Sequence, residues 1–325
     1  MIHGRARPLH SHQAPRAATA TKLRDLSDLG HISASRNVCK NLRKAQYFAY
    51  DPGMAGLDRY LDDRLAQGRA YFSRDEALAA LGLSSAALSA ALARQARKDR
   101  VAVPKHGFYL ILRPEDRSLG APDPARWIDP LMRHLQLDYR VALLRAAAFH
   151  GSSHQAAMVF QLIVPRQIRA LEIGRHRLEF VYQSPAAFSE VNREPWLAQL
   201  KSEAGYAKVS GVELTLLDCA RYFHKAGGIN GLAQIVKDMG ELADPASLVM
   251  IADHYENSCV RRLGYLLEQM GHPHQADALK PFVRKAKSAA LLDPSVKPLS
   301  SVLSGVREMQ PVWGLVINEQ VEVDS

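Results

Sequence analysis

One stretch of 42 residues, Tyr71 to Leu112 (YFSRDEALAALGLSSAALSAALARQARKDRVAVPKHGFYLIL), limits what this chain can fold into more than any other. Ser73 followed by Glu76 is an S-x-x-E capping box, in which the serine hydroxyl and the glutamate carboxylate satisfy the first free N–H groups of a helix. That helix runs through Leu78 and Leu81 and stops at Gly82, where a glycine accommodates the left-handed backbone of a C-cap. Ser84 or Ser85 caps a second helix, with Leu88, Leu92 and Gln95 or Ala96 on one face at three- and four-residue spacing. Its opposite face carries Ser85, Ala86, Ser89, Ala90, Ala93, Arg94 and Arg97. Val101 and Val103 then alternate, Pro104-Lys105-His106-Gly107 turns the chain, and Phe108 to Leu112 returns it as a hairpin with a basic tip.

A helix that enters a DNA major groove needs little bulk at its N-terminal end and cations where it meets phosphate. The second helix has that order, and Arg94 to Lys105 holds five Lys/Arg against one acid, Asp99. The candidate DNA-binding residues are therefore Ser85, Ser89 and Arg94 toward base edges, with Arg97, Lys98, Lys105 and His106 around them toward the backbone. Helix Leu57 to Ala66, apolar at Leu57, Tyr60, Leu61 and Leu65 and ended by Gly68, supplies a third helix beneath the pair. Together they predict a winged helix-turn-helix over residues 54–112. A plain helical hairpin beside a hairpin of strands has the same residue types; the order helix, helix, basic-tipped hairpin separates the two.

The net charge of +9 is unevenly spread. Residues 1–53 hold nine Lys/Arg and three Asp/Glu and account for +6, leaving +3 for the rest of the chain. The leader is polar, basic and aperiodic, as a disordered segment is. It reads either as a flexible arm tracking DNA or as the product of a start codon placed too early, and the amphipathic helix directly after Met54 favours the second. Residues 113–124 (RPEDRSLGAPDP), with three prolines, read as a linker. No apolar run approaches the ~18 residues of a bilayer-spanning helix, so no membrane partner is expected. Cys39, Cys219 and Cys259 are sparse, odd in number and without metal-ligand spacing, which fits a reducing, cytoplasmic setting.

Residues 125–325 read as a larger mixed α/β domain with a small sheet, making the whole an α+β protein. Expected helices are 139–151, Leu214 to Lys225, Ile229 to Met239, Leu248 to Met270 and Gln275 to Ala290. Expected strands are Met158 to Val164 and Leu178 to Tyr182, with a connector or strand at Val209 to Leu214 and an apolar stretch at 312–317. No P-loop, dinucleotide fingerprint, nucleophile elbow or H-E-x-x-H motif is present. His150 and His154 have i, i+4 spacing, but Gly151 interrupts the helix between them and no third ligand is in view. Asp218 suits a helix cap or an internal pair with an arginine; Arg261 or Arg262 is a candidate partner for it or for Glu213. No catalytic residue, metal or cofactor is expected. The competing readings are a DNA-associated metal-dependent enzyme built on His150, His154, Asp218 or Glu213, and a ligand-sensing regulator.

The segments YRVALLRAAAFHGSSHQ (139–155), QLIVPR (161–166), VELTLLDCARYFHKAGG (212–228), RRLGYLLEQMG (261–271) and WGLVIN (313–318) resemble the AbiEi-type antitoxins of type IV toxin–antitoxin systems. The resemblance covers about Met54 to Asn318 and leaves the leader out. It implies a winged helix that binds inverted repeats in its own promoter and represses it; on an inverted repeat a dimer is expected, by stable or DNA-assisted association. It also implies a C-terminal domain that counters a nucleotidyltransferase-like toxin encoded next door, without requiring a stable complex. The family supplies no catalytic residue to carry over.

Overall fold

The computed structural model describes residues 52–152, 159–202, 205–296 and 308–323. The leader up to residue 51 and His154 lie outside them. The fold is mixed α+β, with three sheets among the described residues.

The first part runs α1 (Pro52–Ala66), β1 (Tyr71–Ser73), α2 (Arg74–Leu81), α3 (Ser85–Arg97), β2 (Val101–Lys105) and β3 (Phe108–Ile111). The helix predicted from Leu57 starts at Pro52. The three strands form an antiparallel sheet in the order β1-β3-β2, with β1 an addition to the expected hairpin. Leu57, Leu61, Phe72, Ala77, Leu88, Ala91, Leu92, Val101, Tyr109 and Ile111 bury their side chains together. Ion pairs hold α1 to its neighbours. Asp58 takes bonds from Gln95 Nε2 at 2.9 Å and Arg100 Nη1 at 2.7 Å, and Arg64 meets Glu76 at 3.0 Å.

Residues 113–124 carry a short 3-10 turn at Pro114–Asp116 and bury Asp116 and Ala121. Phe108 and Leu110 of β3 share a second buried cluster with Ala121, Trp127, Ile128, Leu131, Leu162 and Val209, so the small sheet and the larger body have core in common. Residues 51–325 accordingly cluster as one compact unit.

The body continues with α4 (Ile128–His134), β4 (Arg140–Val141), α5 (Leu143–Phe149), β5 (Val159–Val164), β6 (Leu171–Ile173), β7 (His176–Tyr182), α6 (Pro185–Val191), β8 (Leu197–Ser202) and β9 (Gly205–Ser210). There follow α7 (Val212–Arg221), α8 (Gly228–Met239), α9 (Pro245–Ala252), α10 (Asn257–Gln269) and α11 (Pro273–Arg284). Last come β10 (Ala290–Leu291), β11 (Glu308–Gln310) and β12 (Leu315–Ile317). Six strands form the main sheet in the order β6-β7-β5-β4-β9-β8, mixed in direction. One face packs on the cluster of Trp127 and β3; the other packs on α5, α7 and the C-terminal helices. At the β6–β7 turn, Arg175 N donates to Leu119 O at 2.8 Å, and a Cβ on Gly174 would come within 2.0 Å of that same oxygen, so only glycine permits the approach.

Three expectations need correction. Residues 139–151 are not one helix: Arg140 and Val141 form β4 before α5 begins at Leu143, and the apolar character of the segment reflects a central strand followed by a buried helix. Leu248 to Met270 is two helices, broken where Tyr255 turns inward to bond Asp218. The last predicted helix ends at Arg284, and Ala290–Leu291 is a strand.

Candidate nucleic-acid interface

The capping box forms as its spacing requires. Glu76 N donates to Ser73 Oγ at 3.2 Å, and Ser73 N donates to Glu76 Oε2 at 2.7 Å. Gly82 closes α2 at φ 62°, and Ser84 caps α3 by accepting from Ala87 N at 3.2 Å. The chain turns through 110° between α2 and α3. Leu88, Ala91, Leu92 and Gln95 anchor α3 in the core, which leaves Ser85, Ala86, Ser89, Ala90, Ala93, Ala96, Arg97 and Lys98 on its exposed face.

Each expected contact residue takes a definite place. Ser85 and Ser89 are exposed, but both are engaged by a residue the sequence did not single out. Arg74 Nη2 donates to Ser85 Oγ, Ser85 O and Ser89 Oγ, each at 2.8 Å, while Nη1 reaches Tyr109 Oη at 3.3 Å. Ser89 Oγ in turn donates to Ser85 O at 2.9 Å. Arg97 and Lys98 lie exposed at the end of α3, and Lys105 and His106 lie exposed at the β2–β3 turn, where His106 O contacts His134 Nε2 at 3.1 Å. Arg94 is half-buried and has interactions within the protein. Arg100, counted in the basic cluster, is held by Asp58 and Asp62. No helical periodicity marks Arg74; the signal is three-dimensional, because the turn at Gly82 folds the start of α2 against the start of α3.

His150, Glu213 and Asp218, the described residues of the competing enzymatic reading, have separate structural roles. His150 caps α5 and its Nε2 lies 2.7 Å from Ser210 O. Glu213 accepts from Asp244 N at 2.8 Å. Asp218 is fully buried, and its partner is Arg140 rather than Arg261 or Arg262. Arg140 Nε and Nη2 grip both carboxylate oxygens at 3.0 and 2.8 Å, Ser210 Oγ and Tyr255 Oη donate to the same group at 3.1 and 2.6 Å, and Gln183 Oε1 accepts from Arg140 at 2.8 Å. Burial works against the Arg140 charge, and Asp218 outweighs it, so the guanidinium pKa stands above its ordinary value. Burial, reinforced by Asp218, holds the Tyr255 hydroxyl well above the usual phenol range. Arg261 and Arg262 bond carbonyl oxygens of the C-terminal segment, Gly314 O at 2.7 Å and Leu292 O at 2.6 Å. Among the described residues no group of three or more His, Cys, Asp or Glu is placed to hold a metal ion, and no single helix is long and apolar enough to cross a membrane.

Residues 140–269 match the family model described as the AbiEi antitoxin C-terminal domain. The fold is similar to the crystal structure of the Rv2827c protein from Mycobacterium tuberculosis, at a TM-score of 0.59 and 16% identity, over 81% of this chain and 91% of that one. At that identity the likeness speaks for the fold alone. No curated protein matches the chain.

Proposed function

We propose, for a chain whose residues 140–269 belong to the AbiEi antitoxin C-terminal domain family, that it is the DNA-binding autorepressor and antitoxin of a type IV toxin–antitoxin system. In this reading residues 54–112 are a winged helix-turn-helix: α3 enters the major groove, and the β2–β3 hairpin lies along the backbone as the wing. Residues 125–325 are the antitoxin domain. They perform no covalent chemistry and oppose a nucleotidyltransferase-like toxin without a stable complex. Two protomers occupy an inverted repeat in the promoter. The 110° turn between α2 and α3 lies in the range of DNA-reading helix pairs.

The exposed face of α3 carries the DNA reading. Its first turns present Ser85, Ala86, Ser89 and Ala90, small enough for a close approach to base edges, and its end presents Arg97 and Lys98. Replacing Arg97 with Ala should weaken binding to the chain's own promoter by about 1–3 kcal/mol and lower the salt slope by about one. Binding of the Arg97→Ala variant within two-fold of wild type, in a titration at several salt concentrations, would count against α3 as the reading helix. The antitoxin half is tested by co-expression with the toxin encoded beside it. The Arg97→Ala variant should still restore growth while derepressing the promoter; growth arrest despite folded protein would separate this chain from that toxin.

A further inference from the structure

We propose that Arg74 is the side chain that reads a base edge on this face, and that Ser85 and Ser89 are its positioning residues. The inference rests on the DNA-binding reading above and deepens it. Ser89 spends its hydroxyl hydrogen on Ser85 O and an oxygen lone pair on Arg74, so its only donor is already used. Ser85 Oγ likewise accepts from Arg74. The two hydroxyls that face outward on the first turns of α3 thus hold a guanidinium before any DNA arrives.

What holds that guanidinium is neutral. Its four contacts are two serine hydroxyls, one carbonyl and one tyrosine hydroxyl. Arg64, Arg100, Arg133 and Arg140 each meet a carboxylate, at Glu76, Asp58, Asp129 and Asp218 respectively. Among the described residues no carboxylate pairs with Arg74. Hydroxyl acceptors fix its direction without cancelling its charge. Five N–H donors belong to a guanidinium; the Nη2 pair and one on Nη1 are engaged, leaving Nε–H and one Nη1–H for an outside acceptor. An arginine ordered in advance also gives up less rotamer freedom on binding. Its place against the first two turns of α3 decides between base and phosphate, because the N-terminal residues of a groove-bound helix are those that reach base edges. The acceptors that fit are purine N7 and carbonyl oxygens of the major groove.

The test uses the full chain. Duplexes are enriched from a random library by the wild-type protein, and affinities are measured for the enriched duplex and for a scrambled duplex of equal composition. Arg74→Ala should weaken the enriched complex about ten-fold or more and collapse the ratio between the two duplexes. Arg74→Lys keeps the charge without the fork, so it should retain affinity for the scrambled duplex and still lose the ratio. The paired replacement of Ser85→Ala and Ser89→Ala should weaken enriched binding on its own and add nothing to Arg74→Ala, since the serines act through the arginine. Two results overturn the inference while leaving DNA binding intact. One is an undiminished serine effect in the Arg74→Ala background; the other is a full ratio in Arg74→Lys, which marks a phosphate contact. A wild-type chain that enriches no duplex overturns the DNA reading itself. Thermal unfolding of each variant keeps loss of the α2–α3 brace apart from loss of a DNA contact, and the serine pair, exposed at the surface, remains testable if Arg74→Ala fails to fold.

Discussion

Arg74 and Arg140 are the same residue type in opposite circumstances. Arg74 lies half-exposed at the start of α2, fixed by hydroxyls and a carbonyl. Arg140 lies fully buried in the body, locked bidentately to Asp218 with Ser210, Gln183 and Tyr255 gathered around it. A buried carboxylate neutralises its arginine and converts it into a structural joint, here tying β4 to α7 and to the break between α9 and α10. Neutral acceptors order an arginine and leave its charge to act outward. Which acceptors surround a cation, more than how many, separates a joint from a contact.

The sharpest way to break this contrast is to remove the counter-charge from the joint. Asp218→Asn keeps the shape and leaves a guanidinium buried without its carboxylate, which should cost about 3–5 kcal/mol in chemical denaturation. Replacing both partners with apolar residues, Arg140→Met with Asp218→Leu, should cost less than the single change, because no isolated charge remains. The double variant still orphans Tyr255 and Ser210, so it should not reach wild-type stability. A single variant as stable as wild type would show that the pair is no joint.

The caps and buried faces of α2 and α3 were legible in the sequence, and the joint was not. Capping boxes, C-cap glycines and amphipathic faces are local: Ser73 with Glu76, Gly82, and Leu88 with Leu92 each act within one or two turns. The partners of Asp218 come from Arg140, 78 residues away, and from Tyr255, 37 residues away, and no periodicity encodes them. The same limit explains the helix over-extended through Arg140 and the one run through Tyr255. In the first, an apolar stretch runs on smoothly while Arg140 and Val141 pair with β5 and β9; in the second, Tyr255 turns inward to Asp218 between α9 and α10. The candidate interface divides the same way: the exposed serines followed from helical spacing, and their occupation by Arg74 did not, because that contact crosses a turn.

A smaller effect is expected where the body is limited by packing rather than by charge. Gly264 lies on α10, and a Cβ there would meet Trp313 Cζ3 at 2.2 Å. Trp313 is fully buried and donates its indole N–H to Glu268 at 2.7 Å, so it has little room to yield. Helix propensity alone would make Gly264→Ala stabilising by about 1 kcal/mol. The clash should reverse that sign and cost about 1–3 kcal/mol, read as a lowered denaturation midpoint. DNA affinity per folded molecule should not move. A stabilised Gly264→Ala would mean that Trp313 is not seated against α10.

A partly exposed arginine–carboxylate contact extends the series from buried toward exposed. Glu76 meets Arg64 at 3.0 Å with its side chain 46% exposed, so solvent screens the pair. Burial pushes the Glu76 carboxyl up, and the bonds from Ser73 N and Arg64 outweigh it, leaving the pKa below the ordinary glutamate value. A carboxyl whose folded-state pKa is depressed contributes its stability in full above the unfolded-state pKa of about 4.3 and loses it as pH falls through the lower folded value. Glu76→Gln keeps the capping bond, since glutamine serves at that position of the box, and removes only the charge. Its difference from wild type should therefore be at most about 1 kcal/mol near neutral pH and should shrink toward zero as the pH drops below about 4. Denaturation midpoints across that range give the measurement. A difference that stays flat from neutral to acid would assign the whole effect to the hydrogen bond and none to the charge, and would confine the energetic weight of arginine–carboxylate pairing in this protein to its interior.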